Sequence, residues 1–197
     1  MNETIQIFLR REVAPALANL DVCRRVCALL KDYAVNKLPP PRAEVRFFGQ
    51  GDQPAVVGKN CGFFVSPVIF TAIIDIRRFV SFFGYKVTAK GEIDRRHKNK
   101  EDFDISDLAL PYPSREKLLG VLTGESVTPA QLEKALVEAL TYANKTIAHF
   151  TQVSPSDGVD YNYIVLASFG IDRAMRSLIY ESLQLPYPDL QIKSDED

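Results

Sequence analysis

Late in the chain, one row of side chains has the types and spacing to do chemistry. Glu138, Tyr142, Lys145 and His149 follow one another at steps of four, three and four residues. At roughly 100° per residue, that spacing brings a carboxylate, a phenol, an ammonium and an imidazole onto one helix face. An imidazole titrating near neutral pH beside a cation and a hydroxyl can do acid–base work on a phosphodiester or hold an anion. Solvent-facing helix surfaces ordinarily carry the same residue types, so the row is either a site or a solubilising face. On the site reading His149, Lys145 and Asn144 are the catalytic candidates, and Tyr142 and Glu138 the binding candidates. A separate apolar stripe of Leu132, Leu136, Ala139, Ala143, Ile147 and Phe150 sets the orientation. His149 is expected to face a groove or a subunit interface beside Tyr142 and Lys145, with Ala143 and Ile147 toward the core.

The segment Ala143-Asn144-Lys145-Thr146-Ile147-Ala148-His149-Phe150, followed by one further long helical stretch, resembles the signature of the HEPN superfamily of helical-bundle proteins. In that family an arginine, then a polar residue that is commonly asparagine, then four residues and a histidine form the active motif. Many members are metal-independent ribonucleases that pair two such sites across a homodimer. Others are inactive nucleotide- or RNA-binding modules or antitoxin-like partners. Asn144 and His149 fall on the polar and histidine positions, whereas Ala143 stands where the family carries arginine. That departure removes the phosphate-binding cation. The resemblance therefore implies a non-catalytic module that binds a protein or nucleic-acid partner. A ribonuclease or nucleotide-acting enzyme built on His149 is the alternative, with Lys145 or an arginine from another helix (Arg77, Arg78, Arg173 or Arg176) supplying the charge. A purely structural assembly protein is the third possibility. Arg173 and Arg176 join Tyr142 and Glu138 as binding candidates on this reasoning.

Positioning such a site requires helices, and the sequence marks them. Thr128-Pro129-Ala130-Gln131 has the form of a capping box with proline at the first helical position, opening a helix expected to reach about Phe150. Residues 2–37 recur apolar at three- and four-residue steps (Ala16, Leu20, Cys23, Cys27, Leu30, Ala34), with an interruption expected at Pro15. Ser66-Pro67 reads as the cap and first residue of a helix running to Phe83 and stopping at Gly84. Its apolar residues lie nearly all round, with Phe70, Ile74 and Phe82 outside the main face, so it should be central in the fold. Asp75 and Arg78, three apart, suggest a buried or half-buried ion pair in preference to a catalytic one. A short helix over Ser114–Leu122 and a last one from Asp160 to before Pro186, burying Ile164, Ala167, Ile171, Met175 and Leu178, complete the set.

Strand signals are few. Ala43 to Phe48 alternates, and Lys86 to Ile93 suggests a hairpin around Lys90-Gly91. Gly49, Gly51, Gly58 and Gly62 mark a loop, but their spacing matches neither the dinucleotide fingerprint nor the phosphate-binding loop. Arg95 to Lys100 is a basic run answered at once by Glu101, Asp102 and Asp104 and without interleaved aromatic residues, which reads as a solvated loop. Leu-Pro-Tyr-Pro occurs twice, at 110–113 and 185–188, each copy expected to close a helix in an extended turn.

Composition bounds the rest. With 24 Lys plus Arg against 25 Asp plus Glu, any charge-based function must be local. Three cysteines and two histidines rule out a disulfide framework and a multi-histidine metal centre. Cys23 and Cys27 read as packed free thiols. No cofactor or metal is expected, no apolar run approaches a membrane span, and the expected address is cytoplasmic. The fold expected is mainly α: a helical bundle with long connecting loops and at most a minor β element. It forms one domain over residues 1–189 with a polar, disordered tail at 190–197, and it self-associates as a homodimer.

Overall fold

The computed structural model describes residues 3–36, 43–45, 56–58, 62–99, 102–122, 125–144 and 160–190, and the fold is mainly α. The expected polar tail, apart from its first residue Leu190, lies outside the described residues.

The chain opens with α1 (Glu3–Phe8), passes through a π-helical turn (Leu9–Val13) and continues as α2 (Ala14–Val35). The expected interruption at Pro15 is therefore a wide turn just upstream of it. Ala14 donates its N–H to the Leu9 carbonyl, five residues back. Proline removes one N–H from the ladder, and widening the preceding turn lets the spiral continue. Helix α3 (Gly62–Phe82) begins earlier than Ser66-Pro67 suggests, and Pro67 lies inside it. Val65 is buried, so the apolar face extends upstream of Ser66, and burial outweighs the one ladder bond the proline removes. Thr71 returns a side-chain bond to the Pro67 carbonyl at 2.9 Å.

Gly84 ends the α3 segment as expected, with φ 80°, and a Cβ there would meet the Tyr112 ring at 2.7 Å. The chain reverses there into an antiparallel hairpin of β3 (Tyr85–Val87) and β4 (Ile93–Arg95), in which Lys86 faces Asp94. A second ribbon pairs β1 (Ala43–Val45) with β2 (Val56–Gly58). Gly58 thus sits in a strand and Gly62 in a helix, rather than both in a loop. A 3-10 turn (Ile105–Leu108) and α4 (Arg115–Leu119) lead to α5 (Pro129–Tyr142). Each start has its cap. Ser114 accepts from the Lys117 N–H, Thr128 and Gln131 exchange the two bonds of the capping box, and Asp160 accepts from the Asn162 N–H at the head of α6 (Tyr161–Met175).

Helices α2, α3, α5 and α6 pack on one another around the core. From α5 come Leu132, Ala135, Leu136, Ala139, Leu140 and Ala143. The predicted stripe of α6 is buried throughout, through Leu178 in the π-helical segment Arg176–Tyr180. Gly170 lets α6 approach α5 so closely that an added Cβ would fall within contact distance of Leu132. Cys23 and Cys27 are buried free thiols. Asp75 is 3% exposed, accepts from Asn19 at 3.0 Å and pairs with exposed Arg78 at 3.4 Å, so the pair the spacing suggests is half-buried. Phe70 and Ile74 are exposed, so α3 is not covered all round as its apolar periphery suggests, whereas Phe82 is buried with the ring of Phe8 5.8 Å away.

Both Leu-Pro-Tyr-Pro copies are extended, the first after the 3-10 turn and the second after α6. In each the tyrosine hydroxyl donates to a buried aspartate: Tyr112 to Asp104 at 2.7 Å, and Tyr187 to Asp172 at 2.5 Å. An arginine covers each ring, Arg95 on Tyr112 and Arg176 on Tyr187. No helix among the described residues is long and apolar enough to cross a membrane.

Candidate functional site

The site begins on the solvent side of α3, where Arg77 and Ser81, four residues apart, share a face. Gly84 turns the chain back beside that face, so the β3–β4 hairpin delivers Lys86 and Val87 from one strand and Arg96 and His97 just after the other. Leu140 and Asn144, also four apart, close the far wall from the end of α5. Together these side chains line a cleft of about 360 Å³. No carboxylate among the described residues lines it, and Arg77, Lys86 and His97 carry no ion pair there.

Arg96 is held differently. Its N–H donates to the Gly84 carbonyl at 3.0 Å, and its guanidinium pairs with Asp102 at 2.9 Å. Its Nε is buried and has no hydrogen-bond partner among the described residues. Guanidinium and ammonium groups converging on a cleft that no described carboxylate lines can hold an anion, even with Arg96 partly neutralised by Asp102.

The described part of the basic run is exposed apart from half-buried Arg96, as a solvated loop would be, but its side chains are tied down. Arg95 lies over the Tyr85 ring at 4.4 Å and the Tyr112 ring at 5.4 Å, and donates to the Pro113 carbonyl at 2.5 Å. The Tyr85 hydroxyl donates to that same carbonyl, and burial raises its pKa above the ordinary phenol range. Lys98 bridges Asp104 at 3.2 Å and Asp107 at 2.7 Å, bonds that raise the Lys98 pKa. Burial pushes Asp104 upward, but hydrogen bonds from Ser106, Tyr112 and Lys98 outweigh it and hold the carboxyl below its usual range. The aromatic residues absent from the run itself arrive from β3 and from the first Leu-Pro-Tyr-Pro copy. They fix the backbone that aims Arg96 and His97 into the cleft.

A second cavity, of about 480 Å³, lies on the other side of Arg77, Ser81 and Arg96, which line both. Its walls are aromatic: Phe8, Phe79, Phe82 and Phe103. The Phe8 ring sits 4.2 Å from Phe103, which is 38% exposed. Arg78 closes one edge, paired with Glu12 at 3.1 Å as well as with Asp75.

The sequence candidates divide. Asn144 lines the cationic cleft, and Arg77, named among the alternative arginines, lines it too. Ala143 is buried in the core, as its stripe requires. Glu138 is exposed, and Tyr142 is half-buried and stacked on Phe70 at 6.3 Å, packing against α3 rather than lining the cleft. Lys145 and His149 lie outside the described residues, as does the continuation of the helix toward Phe150. Arg173 pairs with Glu125 and stacks on Phe169, and Arg176 lies 4.0 Å over Tyr187, both away from the cleft. Lys86, Arg96 and His97 are the members that residue spacing missed. The one signal for Arg96 and His97 was the basic run, and Lys86 carried none. No group of three or more His, Cys, Asp or Glu among the described residues is placed to hold a metal ion.

Comparisons of the chain with protein-family models, with curated proteins and with solved structures found no match.

Proposed function

We propose that this chain is a non-catalytic, HEPN-like helical module that binds RNA through the phosphate backbone, using the cleft between α3, the β3–β4 hairpin and the end of α5. The observation that carries the proposal is the convergence of Arg77, Lys86, Arg96 and His97 around a cleft with no lining carboxylate among the described residues. Asn144, the polar position of the resembling segment, opens into the same cleft. Overall charge is balanced, so this local excess is what a polyanion meets.

The test is fluorescence anisotropy of a labelled single-stranded RNA with the full chain, repeated over a salt series. Each phosphate neutralised contributes about −0.7 to the slope of log affinity against log salt for a single strand. Two to three contacts from this cleft therefore predict a slope of about −1.4 to −2. Removing Arg77 or Lys86 as alanine, with the helical circular dichroism spectrum unchanged, is expected to flatten that slope by about 0.7 each. Absence of binding at low salt, or a slope indifferent to both substitutions, overturns the proposal. Cleavage of the strand in the same reactions, lost on His149→Ala, would move the assignment to the ribonuclease alternative.

A further inference from the structure

We infer that the aromatic cavity beside the cationic cleft holds a nucleobase while the attached phosphate lies in the cleft, so that the unit recognised is a nucleotide of an unpaired strand. This rests on the cleft binding phosphate and adds the neighbouring subsite.

Continuity is the first argument. Arg77, Ser81 and Arg96 line both cavities, so a ligand reaching across them meets two different chemistries on the two sides of one wall. On the cleft side stand Lys86, His97 and Asn144. On the other side are the Phe8, Phe82 and Phe103 rings. A charged head joined to a flat, apolar body with polar edges fits this division.

The second argument is shape. The cavity, about 480 Å³, lies within the usual range for small-ligand sites of about 300 to 1,000 Å³. Phe103 is 38% exposed although its ring packs against Phe8 at 4.2 Å, which leaves an aromatic surface for a planar group to cover. Bases stack on such surfaces irrespective of identity, because every base has a π face. Glu12 and Asp102 also line the cavity, and beyond their pairs with Arg78 and Arg96 each carboxylate keeps lone pairs for the polar edge of a base, which an alkyl chain would leave unused.

The experiment compares an unpaired RNA of about eight nucleotides with an abasic strand of the same length and charge, both against the full chain. The abasic strand is expected to bind about tenfold more weakly, the lower part of the range for losing aromatic stacking. Phe103→Ala should erase that difference while leaving the abasic affinity unchanged, and Phe103→Tyr should preserve it. A fluorescent aminopurine placed in the strand supplies a readout on the unmodified protein, with its emission quenched on binding. Equal affinity for the two strands, together with unquenched aminopurine, overturns the base subsite and leaves the phosphate cleft standing. Binding of neither strand overturns the cleft and this inference with it.

Discussion

The two Leu-Pro-Tyr-Pro segments make a controlled comparison, because the same tyrosine-to-aspartate bond occurs in two different settings. Tyr112→Phe and Tyr187→Phe each delete one hydroxyl and leave the ring in place. Asp104, 1% exposed, receives Tyr112 together with the Ser106 N–H at 2.9 Å, the Ser106 hydroxyl at 2.6 Å and Lys98 at 3.2 Å. Three donors remain after the substitution, so the cost is that of an ordinary bond, about 0.5 to 1.5 kcal/mol. Asp172, 8% exposed, has Tyr187 as its close side-chain donor, and Arg24 approaches only to 3.7 Å. Burial and the Asp172 carboxylate hold the Tyr187 phenol protonated well above its ordinary pKa, so it is a donor at every pH of interest. Removing it strands a buried carboxylate, at about 1.5 to 3 kcal/mol. At about 2 to 4 °C per kcal/mol for a chain of this size, Tyr187→Phe should lower the melting temperature by several degrees more than Tyr112→Phe. Calorimetry on the two variants and the double variant checks this, with additive losses expected for independent sites. Equal losses, or a larger one for Tyr112→Phe, would refute the argument that the number of remaining donors sets the cost.

Gly170→Ala should destabilise the protein by about 1 to 3 kcal/mol in denaturant titration, since the new methyl collides with buried Leu132, even though alanine favours helix by about 1 kcal/mol. A variant as stable as the parent would show that Leu132 can move aside. Asp75 and Asp104 should titrate with opposite signs. Burial raises the folded pKa of Asp75, so its contribution is fully present below the unfolded value and lost as pH rises through the folded one; Asp75→Asn should lessen that loss between acid and neutral pH. Asp104 is depressed, so its contribution is present above the unfolded value and lost as pH falls through the folded one, and Asp104→Asn should flatten the acid limb. Melting curves across pH that respond alike to both substitutions would contradict this sign difference.

Much of the fold was legible because its determinants are local. Thr128 and Gln131 lie three residues apart and bond to each other through backbone and side chain, so the start of α5 follows from sequence alone. The stripe from Ile164 to Leu178 needs only helical periodicity. Pro67 misled because the burial of Val65 by the rest of the protein extends α3 past the local stop signal. The cleft was opaque for a related reason. Arg77, Lys86, Arg96 and Asn144 meet only after Gly84 reverses the chain and the hairpin register puts Lys86 opposite Asp94. Counting charges along the basic run correctly found acids for Arg96 and Lys98, in Asp102 and Asp104, yet could not show that Lys86 and His97 would face a helix with an arginine to add.

The π turn at Leu9–Val13 has a consequence for how recognition could be altered. One extra residue in the spiral offsets everything before it by about 100° relative to α2. Phe8 is the residue immediately before that turn, and it reaches Phe82 and Phe103 only with this phase. Loss of Arg10 or Arg11, neither of which lines the cavity, would let the ladder close as regular α-helix and swing Phe8 out of the aromatic wall. The other aromatic side chains of that wall would keep their places on α3 and after the hairpin. The geometry of the cavity is therefore encoded partly in segment length, and deletion of either arginine would reshape it with no change in any residue that lines it.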